Sequence, residues 1–137
     1  MNYGAGDWRE LLFSSASRLT RAPFLATSTA LLVGAGLYEV AGGPTLHRLT
    51  GWVVYPAVLF CGACLLSKRL HDRGRAGWWA GLVLFALAVA WPCPRGLWGL
   101  LFLPVLAWAV VELGMMRGDR GANRYGPNPK SLAALVS

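Results

Sequence analysis

Residues 67–79 read Ser-Lys-Arg-Leu-His-Asp-Arg-Gly-Arg-Ala-Gly-Trp-Trp, and they separate two long apolar runs, residues 51–66 and 80–91. These thirteen residues hold four cations, one acid and two adjacent tryptophans. Tryptophan is enriched where a membrane meets water, while lysine and arginine are excluded from its hydrocarbon core. The pattern therefore predicts a loop at a membrane surface, with Trp78 and Trp79 at the depth of the lipid headgroups. We call residues 67–79 the basic segment.

The composition of the whole chain is that of a membrane protein. Its 137 residues are 55% hydrophobic and only 14% charged, against about 25% charged residues in a typical soluble domain. The mean hydropathy is +0.46, and the length is that of one domain. The net charge of +7 does not indicate nucleic-acid binding, because the cations lie in the gaps between apolar runs, where a membrane accounts for them.

Four apolar runs predict an all-α integral membrane protein, a four-helix transmembrane bundle preceded by an amphipathic helix. A polar link is expected at residues 45–50, and a kink is expected at Pro104 in the fourth span. The third run has only 15 residues, about 22 Å as a helix, which is short for a hydrocarbon core of about 30 Å. A three-span alternative, in which this run is re-entrant, therefore stays open. The predicted spans are residues 23–41, 51–67, 77–91 and 97–116.

The distribution of cations predicts the orientation in the membrane. With four spans, eleven lysines and arginines lie on one side, and only Arg48 and Arg95 lie on the other. Cytoplasmic loops carry the excess of positive charge. Both termini, the basic segment and a cytosolic tail at residues 117–137 are therefore expected in the cytoplasm. The three-span alternative would send the basic tail outside, against the same rule.

Residues 1–22 are expected to form a cytosolic or interfacial amphipathic helix. Asp7 and Glu10 have the spacing of a capping box at a helix start, and Trp8 and Leu11 follow at helical spacing. The alternative is a frayed cytosolic tail, because so short a helix is marginal in water. These residues do not have the pattern of a cleavable signal peptide, so the first span is expected to stay in the mature protein.

Two stretches are long and specific enough to compare with known families. They are Arg69-Leu70-His71-Asp72-x-Gly74-Arg75-x-Gly77-Trp78-Trp79 in the basic segment and Gly121-x-Asn123-Arg124-Tyr125-Gly126-Pro127-Asn128-Pro129 in the tail. Both resemble signatures of a small bacterial membrane-protein family catalogued as domain of unknown function 805. The resemblance covers about residues 7–129. It implies a compact multi-pass protein of the bacterial inner (cell) membrane with three or four spans, and it implies no established activity.

The chain departs from the family pattern in an entry segment that resembles Phe-x-Gly-Arg-x-x-Arg-x-x-Phe-Trp. Arg18, Arg21 and Phe24 fit this pattern, whereas Ser17 stands in place of the glycine. Further departures are Ser15, Leu25, Ala76 and Asn128. The family pattern therefore implies no role for the departing side chains, while the His71-Asp72 core of the first signature is intact.

His71 and Asp72 are the one pair that invites a catalytic interpretation, since an imidazole beside a carboxylate can act as a base. Neighbours on a helix point about 100° apart, so Asp72 is better interpreted as neutralising a cluster of Arg69, Arg73 and Arg75. An enzyme is not expected. A metal site needs three or four ligands. His47 is expected on the opposite side of the membrane from His71, so neither a metal nor a cofactor is expected.

Two further features have both a chemical and a structural interpretation. Cys61 and Cys64 have the spacing of a redox motif, but they lie inside a predicted span, away from the exposed helix start that activates a thiol. Small packing residues are the preferred interpretation, and redox chemistry is the alternative. Glu112 lies near the end of the fourth span, where its carboxylate reaches the interface and is expected to pair with Arg69 or Lys68.

The preferred function is a non-enzymatic module that binds anionic lipid headgroups or a partner protein through the basic segment, because each cation near an anionic surface contributes about 1 kcal/mol. A subunit of an oligomeric transporter or channel is the alternative, a membrane-bound enzyme is a third hypothesis, and a homo-oligomer is compatible with each. A purely topological role for the basic segment also stays open. Candidate binding residues are Arg69, His71, Asp72, Arg75, Gly77, Trp78, Trp79, Asn123, Arg124, Tyr125 and Pro127.

The basic segment and the tail emerge on the same side of the membrane in the four-span order. We therefore predict that the tail folds back onto the basic segment, with Tyr125 and Pro127 packed near Trp78. In the basic segment and the tail, Asp72 and Asp119 are the only acids among eight lysines and arginines. Asp72 is expected to pair with an arginine, either Arg75 or Arg124.

Overall fold

The computed structural model describes residues 8–15, 17–91 and 94–136. In those residues it contains helices and no strand, apart from an isolated bridge between Asn123 and Gly126. The predicted all-α fold is therefore confirmed. The helical segments are α1 (Trp8–Phe13), α2 (Arg21–Ala41), α3 (Gly43–Asp72), α4 (Trp79–Ala90), α5 (Gly96–Ala109), a π-helical segment (Val110–Met115) and α6 (Pro129–Val136).

Three helices are long and apolar enough to cross a membrane: α2, α3 and the helix that α5 and the π-helical segment form together. α4 is apolar but has only 12 residues, about 18 Å at 1.5 Å per residue, against a hydrocarbon core of about 30 Å. A helix therefore lies within each of the four predicted spans, while four membrane crossings stay a prediction. α1 confirms a short helix near the N-terminus, and its predicted cap, Asp7, lies outside the described residues.

The polar link predicted at residues 45–50 is wrong, because these residues belong to α3. Gly43 has a φ of +60°, which residues other than glycine rarely adopt, and it completes the turn between α2 and α3. Pro44 lies in the first turn of α3, where its fixed φ favours a helix start. α3 has 30 residues, about 45 Å, and it continues past the predicted end of the second span. Residues 68–72 of the basic segment are consequently helical.

The fourth predicted span ends in a π-helical segment that the sequence did not predict. Pro104 lies inside α5 as expected, but the change of helix type comes later, at Val110. The backbone N–H of Met116 donates to the carbonyl of Val111 at 3.1 Å, five residues back. Arginine side chains bind the carbonyls at this end, as when the Arg21 guanidinium donates to Met115 at 3.1 Å. The helix end is therefore satisfied by side chains rather than by further backbone turns.

The buried core lies at one end of the molecule, where α2 begins, α3 ends, α4 begins and the π-helical segment ends. It consists of Leu19, Phe24, Leu65, Leu70, Ala80, Val83, Ala109 and Leu113. Large apolar side chains along the helices are exposed instead, including Leu37, Trp52 and Leu101. Such a surface suits lipid rather than water. Cys61 and Cys64 are buried on α3 with free thiols, which agrees with their interpretation as packing residues.

Ser17 has a φ of +150°, outside the range that L-residues adopt at low energy. We expect Ser17→Gly to raise the free energy of unfolding by about 1 kcal/mol, because relief of the strain exceeds the added flexibility of the unfolded chain. Thermal unfolding in detergent measures the change. Ser15→Gly is the matched control, since Ser15 is exposed and does not share this conformation. An equal gain in both variants would contradict strain at Ser17.

Candidate functional site

The carboxylate of Asp72 is buried between two arginine side chains at the end of α3. Asp72 is 3% exposed. Arg18 Nε donates to its Oδ1 at 3.1 Å, and Arg69 Nη1 donates to its Oδ2. Arg69 and Asp72 are three residues apart on the same helix, so their side chains share a face. A buried charge is tolerated only when it is paired and hydrogen-bonded, and Asp72 meets both conditions.

Arg69 is fully buried and joins three parts of the chain. Its Nε donates to the carbonyl of Leu113 at 2.7 Å and its Nη2 to that of Met116 at 2.6 Å, both at the end of the π-helical segment. Its Nη1 also donates to Leu19, just before α2, at 3.3 Å. The planar guanidinium supplies several donors in a fixed geometry, which a lysine lacks. Arg69 is therefore a structural anchor, with no surface left to bind a headgroup.

Arg18 joins the tail to the end of α3 through hydrogen bonds to backbone carbonyls. Besides pairing with Asp72, its guanidinium donates to the carbonyls of Asp119 at 2.7 Å, Gly121 at 2.7 Å and Gly126 at 3.3 Å. Arg18 is 7% exposed. One side chain from the segment before α2 therefore holds both the end of α3 and the tail backbone.

The predicted docking of the tail onto the basic segment is confirmed. The backbone N–H of Asp119 donates to the carbonyl of Asp72 at 2.8 Å, and Asn123 Nδ2 donates to the carbonyl of His71 at 2.9 Å. The ring of Tyr125 stacks on His71 with centroids 3.9 Å apart, and the Arg124 guanidinium lies 4.7 Å above the Tyr125 ring.

The contacts within the docked tail differ in part from those predicted. Tyr125 stacks on His71, while Trp78 stacks on Trp79 with ring centroids 4.4 Å apart. Asp72 pairs with Arg69, one of the arginines it was expected to neutralise, but its second partner is Arg18 rather than Arg75 or Arg124. Its neighbours in space come from a segment 54 residues away in sequence and from its own helix.

Glu112 forms a second ion cluster with arginines of the basic segment. Its Oε1 accepts from Arg73 Nη2 at 3.1 Å and from Arg75 Nε at 3.0 Å, and Arg75 also lies 5.5 Å from the centre of the Trp108 ring. The arginines that pair with Glu112 are thus Arg73 and Arg75 rather than the expected Arg69, which pairs with Asp72. The arginines of the basic segment thus hold the helix ends together.

Glycines allow the close approach of these segments. A Cβ on Gly118 would lie 1.9 Å from Asp72 Oδ2, and one on Gly74, whose φ is +67°, would lie 2.7 Å from Asp119 Oδ2. Gly77 approaches the His71 ring in the same way, with a built Cβ 3.0 Å from Nε2. The spacing of these glycines is therefore required by packing around His71 and Asp72.

The remaining candidate residues lie at the edge of this cluster. Trp78 is 67% exposed, as expected for a side chain at the membrane surface. Trp79 packs against the core, with its ring 5.9 Å from that of Trp108. Pro127 is exposed. Trp78 and Trp79 therefore lie at the edge of the ion cluster around Asp72.

The structure does not form a catalytic pair from His71 and Asp72. The Asp72 carboxylate is directed at two guanidinium groups, while the His71 ring stacks on Tyr125. The described residues contain no group of three or more histidine, cysteine and acidic side chains that could hold a metal.

A cleft of about 420 Å³ opens beside Asp72. We call it the basic cleft. It is lined by Thr20, Arg21, Asp72, Arg117, Gly118, Asp119, Arg120, Asn128 and Lys130. The side chains of Arg117, Arg120 and Lys130 form no hydrogen bond or ion pair with another described residue. Unlike the arginines of the basic segment, these cations are available to an anion.

The family model described as "Protein of unknown function (DUF805)" matches residues 12–127. This match includes the segment of Arg18, the basic segment and the tail as far as residue 127. The chain belongs to this family. It is 31% identical to the uncharacterized protein YiiR of Escherichia coli (strain K12), over 90% of this chain and 91% of that protein. It is 28% identical to the inner membrane protein YhaH of the same strain, over 68% of this chain and 60% of that protein.

No solved structure matches the chain. The name of one DUF805 relative places that relative in the inner membrane, and the apolar helices of this chain agree with a membrane location. In this DUF805 member, the two signature stretches contact each other through Asn123, Tyr125 and His71.

Sequence reasoning missed two features of the site. Arg18 was noted only as a match to the DUF805 entry pattern, and that match was the available signal for its role. The basic cleft was missed because its cations come from three places, the start of α2, residues 117–120 and the start of α6. No single stretch of sequence contains them together.

Proposed function

We propose that this chain is a multi-pass inner-membrane protein that binds anionic lipid headgroups in the basic cleft and catalyses no reaction. The observation that carries the proposal is the contrast between two sets of cations. Arg69, Arg73 and Arg75 are bound to carboxylates and carbonyls, whereas Arg117, Arg120 and Lys130 line an open cleft without such partners. The proposed ligand-binding surface is therefore the basic cleft rather than the basic segment.

The position of the basic cleft favours a lipid over a protein partner. Arg21 begins α2 and Arg117 follows the π-helical segment, so the cleft lies where two apolar helices end. A lipid with its chains beside those helices has its headgroup at this level. Phosphate is a strong acceptor of charge-assisted hydrogen bonds, and arginine binds it in a bidentate manner.

The proposed topology has four crossings, with both termini and the basic cleft in the cytoplasm, which rests on the excess of cations at this end. We expect reporter fusions after Lys130 and within residues 73–76 to show cytoplasmic activity, and a fusion at Gly43 to show external activity. A fusion at Cys93 is expected to show external activity as well, because α4 then crosses the membrane. An external tail would contradict the four-span order.

Headgroup binding is tested with Arg120→Gln combined with Lys130→Gln. Each cation near an anionic surface contributes about 1 kcal/mol, so the double variant is expected to bind phosphatidylglycerol about 10- to 30-fold more weakly in nanodisc or detergent titrations. Unfolding should be unchanged, because neither side chain bonds to another described residue.

The matched control is Arg48→Gln combined with Arg95→Gln, which removes the same charge from the other end of the helices. Both residues are exposed, and this pair should leave phosphatidylglycerol binding unchanged. Phosphatidylcholine, which has no net charge, should bind weakly to every form. Equal losses in both double variants, or equal binding of the two lipids, would refute the proposal.

A further inference from the structure

Asp119 is an acid in a cleft otherwise suited to anions. Of the two acids that line the basic cleft, Asp72 has one carboxylate oxygen bound to Arg18 and the other to Arg69. Asp119 differs, because no lysine or arginine forms an ion pair with it among the described residues. Its Oδ2 accepts a hydrogen bond from Asn123 Nδ2 at 3.0 Å.

The other carboxylate oxygen of Asp119, Oδ1, accepts no hydrogen bond from the described chain. An ionised carboxylate can only accept, so any ligand group placed against it must donate a proton in a hydrogen bond. A bare phosphate would be repelled there. A ligand that carries both a phosphate and a donor would satisfy the lysine and arginines and the aspartate at once.

We propose that Asp119 makes the basic cleft selective for phosphodiester headgroups that carry a free hydroxyl group, the polyol-phosphate class. This inference rests on the headgroup binding proposed above. The phosphate is held by the cations of Arg117, Arg120 and Lys130, and the hydroxyl donates to Asp119 Oδ1. Asp119 is thus a specificity-determining residue of the site.

A hydroxyl suits this position better than an ammonium group for a reason of charge. Arg21, Arg117, Arg120 and Lys130 place four positive charges around the cleft against the unpaired charge of Asp119. A cationic headgroup would be repelled by that excess, since like charges in a shared site raise the free energy. A neutral hydroxyl meets Asp119 without this cost, and the cleft volume of about 420 Å³ exceeds the size of one phosphate group.

The test compares lipids with the same acyl chains and the same charge. Phosphatidylglycerol and phosphatidylmethanol are both singly charged phosphodiesters, but only the first has free hydroxyls. In nanodiscs of phosphatidylcholine with about 20 mol% of either probe, we expect the wild type to bind phosphatidylglycerol about tenfold more tightly. In Asp119→Asn the ratio should fall to within about twofold, chiefly because phosphatidylmethanol binds better once the negative charge is removed.

The outcomes separate the two proposals. Equal affinity of the wild type for both phosphodiesters, above that for phosphatidylcholine, would overturn the role of Asp119 and leave headgroup binding intact. Affinity no higher than for phosphatidylcholine would overturn both. Tighter binding of phosphatidylethanolamine than of phosphatidylglycerol would show that an ammonium meets Asp119, and would also overturn the proposal. The comparison on the wild type decides the matter even if Asp119→Asn does not fold.

Discussion

Gly118→Ala is expected to undock the tail and to lower the free energy of unfolding by about 3–5 kcal/mol. A Cβ at this position would lie 1.9 Å from Asp72 Oδ2 and 2.5 Å from its Cγ, so the carboxylate or the tail has to move. The carboxylate cannot move alone, because Arg18 and Arg69 hold both of its oxygens in a buried site. Separating a buried ion from its partners costs about this much.

The measurement is chemical unfolding in detergent together with limited proteolysis of the tail. Gly121→Ala provides a close control, because it lies in the same stretch and a Cβ there would have no neighbour within 4 Å. That variant should unfold like the wild type and keep a protected tail. If Gly118→Ala proved as stable as Gly121→Ala, the tail backbone would not be seated against Asp72 as described.

The sequence predicted the helical fold because long apolar runs permit few other structures in a membrane. It failed in places where the structure depends on contacts between distant segments. The π-helical segment is one such place, since its carbonyls at Leu113 and Met116 are bound by Arg69, 44 and 47 residues away. Nothing in the local sequence of residues 110–115 indicates this arrangement.

The pairing of Arg69 with Asp72 agrees with the interpretation that Asp72 neutralises nearby arginines. Their i,i+3 spacing places them on one face of a helix. The predicted second span ends at residue 67, whereas α3 continues to Asp72. The partner that the sequence did not indicate is Arg18, because it lies 54 residues away from Asp72.

The sequence also could not show which lysines and arginines are free to bind a ligand. The basic segment and residues 117–130 are equally rich in arginine and lysine, and composition does not say which charges are already paired. Glu112 binds Arg73 and Arg75, and backbone carbonyls bind Arg18 and Arg69. Arg117, Arg120 and Lys130, whose side chains bind no other described residue, line the basic cleft.

The second large effect is expected from a double-mutant cycle on Asp72 and Arg18. Asp72→Ala leaves Arg18 and Arg69 buried without their carboxylate, and Arg18→Ala leaves Asp72 with one arginine, so each change should cost about 3–5 kcal/mol of unfolding free energy. Residues in contact show coupling energies of about 0.5–3 kcal/mol. We expect a value near the upper end, about 2–3 kcal/mol, because the pair is desolvated, with side chains 1% and 4% exposed.

The matched cycle uses Arg124 in place of Arg18, because the sequence predicted Arg75 or Arg124 as the partner of Asp72. Arg124 lies over the Tyr125 ring and forms no ion pair with Asp72. Its coupling to Asp72 should therefore be zero within about 0.5 kcal/mol, the range found for independent sites. Both cycles are read by chemical unfolding in the same detergent, so that the reference state is shared. A coupling for Arg124 as large as that for Arg18 would mean that the tail carries the partner of Asp72, and the anchoring role of Arg18 would have to be given up.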